Sequence, residues 1–405
     1  MNWTTVEFES LYSIPSRNGL NRPSGIRGKG YKFINMGELF GHDRIGSIEM
    51  ERVEMNDKEL ATMLIEEGDL LFARQSLVLS GAGKCSIVKE VDEPTTFESH
   101  LIRVRLKREL ANPYFYHYYF KSPKCPIRSI VTQGVQAGIR GNDLKQLKIH
   151  LPPIEIQNRI ADIISAYDDL IENNRRRIQL LERSLHLLYK EWFVHLRFPS
   201  HEHSKIVDGI PEGWEKRSLG DLAESVMYGY TASAQESGEA KLLRITDIAP
   251  DTIDWDSVPF CEIDEQNLRK FALQEGDVVV ARTGATVGYA KRIGSLESPT
   301  VFASYLIRFR FTEKIDNYLA GIFIESDEYK NFVVNNAGGA AQPNANAKVL
   351  SSATVLVPTQ NIQRLFRDYV EPICKQKDLL QKENRKLKQA RDLLLPKLMS
   401  GAIGV

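Results

Sequence analysis

The stretch "EGDVVVAR" at Glu275–Arg282 and its near copy "EGDLLFAR" at Glu67–Arg74 stand 208 residues apart in a chain of 405. A repeat at about half the chain length decides the whole architecture, so it has to be settled before any local motif is read. Neighbouring stretches agree. Upstream, "YKFINMGEL" (Tyr31–Leu39) faces "AKLLRITDI" (Ala240–Ile248) at an offset of 209. Downstream, "FESHLIRVRL" (Phe97–Leu106) faces "FASYLIRFRF" (Phe302–Phe311) at an offset of 205, with the two-residue alternation of half-buried strands. Last, "HLPPIEIQNRI" (His150–Ile160) faces "VLVPTQNIQRL" (Val355–Leu365). The chain reads as a domain plus a helix, written twice.

The helical parts carry their own period. Ile160, Ile164, Tyr167, Ile171, Asn174, Ile178, Leu181, Leu185, Leu188 and Trp192 follow one another in alternating steps of four and three, which is the spacing of a coiled-coil seam. A helix of roughly 40 residues is a rod of about 60 Å. It is expected to stop where Phe198 precedes Pro199, because a residue before proline is disfavoured from helical geometry. The second stripe runs Phe366, Tyr369, Ile373, Gln376, Leu380, Glu383, Leu387, Ala390, Leu394, with Pro372 expected to break its ladder. Either stripe alone also fits a core helix of a globular domain. Two stripes, each following a matching domain, favour an antiparallel pair with an internal pseudo-two-fold repeat, and Asn174 in the seam would fix its register. The expected fold class is α+β: domains at 1–154 and 199–357, and long helices at 155–198 and 358–405.

Hydrophobic residues make up 42% and charged residues 26%, the mixture of a soluble globular protein. No run of about 18 apolar residues occurs and the start "MNWTTVEFES" lacks a signal pattern, so the expectation is a cytoplasmic protein with no membrane partner. Cys85, Cys125, Cys261 and Cys374 are scattered singly, which argues against a zinc site or a disulfide framework. Net charge is zero. By segment it is +3 over 1–154, 0 over 155–199, −8 over 200–357 and +5 over 358–405. Binding to a polyanion therefore requires basic residues gathered on one face.

Catalytic constellations fail on inspection. "SGAGKCS" (Ser80–Ser86) has the look of a phosphate loop, but Val78 stands at the first glycine and Cys85 where a hydroxyl must hold magnesium, leaving a glycine turn between strands. "NPYF" (Asn112–Phe115) is similar to the base-holding tetrapeptide of DNA adenine methyltransferases, but Tyr114 replaces its second proline and no glycine-rich cofactor loop accompanies it. The pairs Asp168 with Asp169 and Asp254 with Asp256 have no basic partner at useful spacing and read as solvated faces. His201 and His203 lack a third ligand for a metal. No catalytic residue and no metal is expected.

What remains is binding chemistry. After the second octapeptide, "ARTGATVGYAKR" offers Arg282, Thr283, Lys291 and Arg292 beside Gly284 and Gly288, which allow close backbone approach. The first copy answers with Arg74, Gln75, Ser76 and Lys84 in "ARQSLVLSGAGK". Structural pairing of Arg74 and Arg282 with a strand-end carboxylate is the competing explanation. A second loop site, "TQGVQAGIRGNDL" (Thr132–Leu144) facing "GGAAQPNANAKVL" (Gly338–Leu350), supplies Gln136 and Arg140 in one copy and Gln342, Asn344 and Asn346 in the other. Gln and Asn make the bidentate contact to adenine. A third, "SRNGLNRPSGIRGKGYK" (Ser16–Lys32), places Arg17, Arg22, Arg27, Lys29 and Lys32 in a glycine-rich arm without an acid, suited to phosphates. The equivalent "MYGYTASAQESG" has Tyr228 and Tyr230 instead. The acidic residues Asp251, Asp254, Asp256, Glu262, Asp264 and Glu265 would repel phosphate and are expected to face away from it.

With those residues in view, the chain resembles the specificity subunits of type I restriction-modification systems. The resemblance rests on "GIPEGWEKRSLGDLAE" (Gly209–Glu224), "LLRITDI" (Leu242–Ile248), "GDVVVARTGATVG" (Gly276–Gly288) and "QPNAN" (Gln342–Asn346). The helical stretches "NNRRRIQLLERSLHLLYKEWF" (Asn173–Phe193) and "LLLPKLMSG" (Leu393–Gly401) add to it. It implies two target-recognition domains separated by two long antiparallel helices, each domain reading half of a split, asymmetric site in double-stranded DNA. It also implies one copy per complex, partnered by two methylation subunits that carry S-adenosylmethionine and by restriction subunits that use ATP and magnesium. This chain itself would hold no cofactor. Its helices and adjoining domain faces would dock the methylation subunits, while the seam between the two helices (Ile171, Asn174, Ile178, Leu181, Leu185, Leu188, Trp192, Leu380, Leu387, Leu394) would hold the helix pair together. The first copy departs from the pattern, with "RQSL" for "RTGA" and "QAGIR" for "QPNAN". A self-sufficient DNA adenine methyltransferase or nuclease, and a coiled-coil scaffold without a DNA role, are the alternatives.

Overall fold

The computed structural model describes residues 3–134, 136–250, 252–338 and 343–404. Gln342 and Asp251, both singled out above, lie outside the described residues. The chain forms two compact units, Met1–Ile171 with Lys386–Val405, and Glu172–Arg385. We call them unit 1 and unit 2.

Unit 1 contains β1 (Tyr12–Asn18), β2 (Tyr31–Ile34), β3 (Leu70–Ala73), β4 (Cys85–Val88), β5 (Thr95–Phe97) and β6 (Leu101–Leu106). The main sheet has the order β1, β6, β3, β4, with the short strand Arg44–Ile45 at its edge, while β2 runs parallel to β5 in a second sheet. Unit 2 contains β7 (Ala223–Tyr228), β8 (Ala240–Leu243), β9 (Val278–Ala281), β10 (Ala290–Arg292), β11 (Thr300–Phe302) and β12 (Leu306–Phe311). Its main sheet has the order β7, β12, β9, β10, and β8 runs parallel to β11. One topology is thus used twice.

The octapeptide forms the centre of each main sheet. All four residues of β3 ("LLFA") and of β9 ("VVVA") are buried, as expected of strands covered on both faces. Before each strand a glycine takes a left-handed conformation, Gly68 at φ +86° and Gly276 at φ +92°. The next residue is a buried acid clamped by an arginine of the neighbouring strand. Arg105 donates to both carboxylate oxygens of Asp69 at 2.7 Å, and Arg310 to those of Asp277 at 2.8 Å. The other basic positions of the same two strands also serve the core. Arg103 donates to the Leu64 carbonyl at 2.9 Å beside the Phe97 ring, and Arg308 to the Ala272 carbonyl at 3.2 Å beside Phe302.

A second repeated device fixes each long helix to its domain. Gln157, fully buried at the start of α1 (Ile154–Tyr189), accepts from the Asn112 amide at 2.9 Å and donates to the Leu110 and Pro152 carbonyls at 3.0 and 2.8 Å. Gln363 in α2 (Gln360–Met399) accepts from the Asp316 amide at 2.7 Å and donates to the Lys314 and Pro358 carbonyls at 3.2 and 2.9 Å. Asn112 and Asp316 also cap matching helices, so "NPYF" is a helix start whose asparagine accepts from the Tyr114 and Phe115 amides. "SGAGKCS" is a 3-10 turn followed by β4.

Within unit 2 the helices pair antiparallel. Asn174 donates to Glu383 at 3.2 Å and Lys377 meets Glu182 at 2.8 Å, so partner numbers fall on α2 as they rise on α1. In unit 1 Arg391 donates to Asp168 at 2.5 Å. The helix ends also belong to the domain cores. Ile160 and Ile164 join Leu395 and Leu398 in the core of unit 1, and Leu185 and Trp192 join Phe366 and Val370 in that of unit 2.

Three sequence expectations do not hold. The seam of α2 passes through Val370 and Lys377, whereas Tyr369 is 54% exposed and Gln376 is exposed too; the four-three rhythm from Phe366 began one step off. Pro372 does not break α2: it and Asp368, whose carbonyl loses a partner, are both exposed, so that carbonyl is open to water. Asp168 is buried and bound by Tyr118 and Arg391. Asp169 lies on an exposed face, as expected, and is paired there with Arg44 and Lys89, partners invisible at sequence spacing. Of the ten seam residues, Ile171, Asn174, Ile178, Leu185, Trp192 and Leu380 are buried, while Leu181, Leu188, Leu387 and Leu394 are half-buried. α1 ends in a π-helical turn, Lys190–Val194, close to the expected stop.

Candidate nucleic-acid interface

The chain leaves the central strand of each sheet at an arginine, and the two arginines are held by the same backbone frame. In unit 2 the Arg282 amide donates to the Tyr305 carbonyl at 3.0 Å and its carbonyl accepts from the Ala345 amide at 2.8 Å. In unit 1 Arg74 bonds the His100 carbonyl at 2.8 Å and the Ile139 amide at 2.9 Å. The carboxylates at the strand starts, Asp69 and Asp277, are taken by Arg105 and Arg310. Arg282 lies 5.0 Å from the Tyr228 ring and its guanidinium approaches the Asn344 side chain at 3.4 Å. Arg74 reaches the Ser99 carbonyl at 3.4 Å.

Around Arg282 the structure gathers several of the sequence candidates. Thr283 bridges to Asn344 and the Gly284 amide donates to the Pro343 carbonyl. Tyr228, 41% exposed, accepts the Ala347 amide through its hydroxyl at 3.0 Å, and Asn346 caps the following helix through the Val349 amide. Tyr305, 56% exposed beside Arg282, joins them. Sequence reading missed it, although "FASYLIR" against "FESHLIR" differs there, at Tyr305 and His100. In unit 1, Gln75–Ser76 pairs with Ala137–Gly138 and these with Thr132–Gln133, forming a small three-stranded sheet. Gln136 and Arg140 are exposed beside it.

Other candidates are committed elsewhere. Tyr230 packs its ring 5.3 Å from Phe271 in a core cluster, because β7 has ended and the chain has turned inward there. Arg292 lies 3.9 Å from the Tyr318 ring and 3.5 Å from the Asn317 side chain. With Lys291 it lines a cleft shared with Glu182, Lys377 and Asp378 of the helices, since β10 runs back from the loop. Lys84 donates to the Phe40 carbonyl at 2.9 Å and meets Asp43 at 3.3 Å.

In the basic arm Arg22 grips Glu59 at 2.7 Å and Arg27 grips Glu51 at 2.5 Å, while Lys32 meets Asp92 at 2.8 Å. Hydrogen bonds from Arg27 and Arg22 hold the Glu51 and Glu59 carboxyls below their ordinary pKa, and the Lys32 bond takes Asp92 down to about 2. Arg17 and Lys29 remain exposed. Acids distant in sequence claimed the others. Among the described residues no group of His, Cys, Asp and Glu suited to a metal occurs, and no helix is long and apolar enough to cross a membrane. Asp254, Asp256, Glu262, Asp264 and Glu265 are exposed.

The scaffold is doubled, and its two strand-end arginines open into loops of different sequence. The chain belongs to the family described as the type I restriction modification DNA specificity domain, whose model matches residues 2–183 and again 211–389. It is similar to the MjaVIII specificity subunit of Methanocaldococcus jannaschii, 26% identical over 87% of this chain and 82% of that one. The putative MjaX subunit of the same organism is 24% identical over 100% of this chain and 94% of that one. Among solved structures, the S subunit of a type I system from M. genitalium shares the fold at 17% identity and a TM-score of 0.57, covering 98% of this chain and 96% of that one.

Proposed function

We propose that this chain is the non-catalytic DNA-reading subunit of a type I restriction-modification enzyme, and that each unit reads one half of a bipartite, asymmetric duplex site. The observation that carries the reading is the contrast between scaffold and loop. The Asp–Arg clamps, the capped helices and the glutamine ties recur in both units, while the loops after Arg74 and Arg282 differ in residues and length. Equal scaffolds with unequal loops suit two half-sites of unequal sequence.

The long helices set the spacing between half-sites and dock two methylation subunits. Exposed apolar residues on them, Leu180, Leu187 and Leu379 in unit 2 and Leu170 and Leu393 in unit 1, supply surface for that docking. The methylation subunits bring S-adenosylmethionine, and restriction subunits bring ATP and magnesium chemistry, to a single copy of this chain in the cytoplasm. With zero net charge, tight DNA binding needs the partners' basic surface as well.

Co-expression with the methylation subunit, followed by mapping of methylated adenines across a genome, tests the reading. A split, asymmetric motif is expected. A continuous or palindromic motif would contradict it.

A further inference from the structure

The two recognition loops are anchored identically and differ by an insertion. The Gly83 amide donates to the Ala73 carbonyl at 2.9 Å, and the Gly288 amide to the Ala281 carbonyl at 2.9 Å. Between those anchors unit 1 has nine residues, 74–82, and unit 2 has six, 282–287. The three extra residues account for the offset falling from 208 at the octapeptide to 205 after it.

The added length raises an apolar tip. Leu77, Val78 and Leu79 are 87%, 59% and 51% exposed, whereas Val287 in the shorter loop is 4% exposed. The tip is braced. The Val78 amide donates to the Ser76 hydroxyl at 3.2 Å and the Gly81 amide to the Val78 carbonyl at 3.0 Å. Arg128 donates to the Leu79, Ser80 and Ala82 carbonyls at 3.1, 2.9 and 3.3 Å. Gly81 has no space for a Cβ, which would stand 2.2 Å from the Ser76 hydroxyl.

Its surroundings say what it meets. Gln75, Gln133 and Gln136 belong to or adjoin the small sheet from which the tip rises. Residues 70–89 and 110–142, which include this surface, contain seven basic residues; Lys84 and Lys121 meet Asp43 and Lys89 meets Asp169, and Arg74, Lys124, Arg128 and Arg140 stand outside those pairs. Four basic side chains beside glutamines and an apolar tip suit a nucleic-acid duplex, whose phosphates they can meet. In the major groove glutamine reads adenine, and an apolar group reads the 5-methyl of thymine.

We infer that Leu77, Val78 and Leu79 form a rigid apolar reader that packs on a thymine methyl in the half-site of unit 1. This rests on the reading of unit 1 as a DNA reader. The shorter, tucked loop of unit 2 has no such knob.

The test uses the full chain assembled with its methylation subunits and duplexes carrying the mapped site. Replacing each thymine of the unit 1 half-site by deoxyuracil removes only the methyl. A loss of about three- to fivefold in affinity is expected at one or two positions, the weight of one buried methyl. In a Leu77→Ser, Val78→Ser variant those same positions should become indifferent to the methyl. Indifference of the wild-type complex at every thymine, while scrambling that half-site still abolishes binding, overturns the inference and leaves the two-reader function standing. If scrambling also has no effect, that function falls with it. Failure of the variant to assemble with methylation subunits, its fold intact by circular dichroism, assigns the tip to a protein contact and likewise overturns the inference.

Discussion

Unit 1 and unit 2 solve the same folding problem with the same parts and then part company at one loop and one arm. Arg105 on Asp69 and Arg310 on Asp277 are interchangeable clamps; "QSLVLSGA" and "TGATV" are not interchangeable ends. The contrast teaches that constraint in this chain is concentrated where charge is buried and released where the chain emerges. The N-terminal arm repeats the lesson. Unit 1 carries Arg22 and Arg27 clamped on acids, and the matching Met227–Gly238 has no basic residue at all.

The largest effect that breaks the comparison comes from moving the loop. Replacing residues 74–82 by residues 282–287 should change one half of the methylated motif completely and leave the other half intact, as read by methylation mapping. Next come the clamps. Asp69→Ala and Asp277→Ala each strand a half-buried arginine, and each should cost about 3–5 kcal/mol in denaturant unfolding. Similar losses from the two sites would confirm that the scaffolds are equivalent. Gln157→Ala and Gln363→Ala remove three hydrogen bonds from a buried place and should each cost about 1–3 kcal/mol in the same assay. Tyr228→Phe frees only the partly exposed Ala347 amide, so a loss of about 1 kcal/mol or less is expected from thermal melting.

The smallest effect concerns pH. Arg27 and Arg22 lower the Glu51 and Glu59 pKa values, so their stabilisation is complete above the ordinary value of 4.5 and is lost as pH falls through the lowered native values. Hydrogen exchange or limited proteolysis should show the arm at residues 22–30 loosening in acid before its core does. The matching stretch of unit 2 should show no such step.

The repeat, the strands and the long helices were legible because they rest on periodicity and on glycine and proline geometry, which a linear pattern displays. The use of charged side chains was not. Arg22, Arg27 and Lys84 looked available because their acids, Glu59, Glu51 and Asp43, lie 24 to 41 residues away in sequence. Asp168 looked solvated because its arginine is 223 residues away. The α2 seam slipped because Lys377 carries a charge and yet points inward to Glu182, a pairing that hydrophobic spacing alone never selects. The strand-end frame around Arg282 was legible in part: Thr283 and Asn344 were named, while Tyr305 required knowing which residue lies beside the arginine across the sheet.

The glutamine ties have a consequence for how such a chain can change. Gln157 and Gln363 each plug into a socket made only of backbone groups, an amide and two carbonyls, which no side-chain substitution in the domain erases. A domain lifted from either position therefore offers the other helix the same fitting, and the chain behaves as two bays that accept a common cartridge.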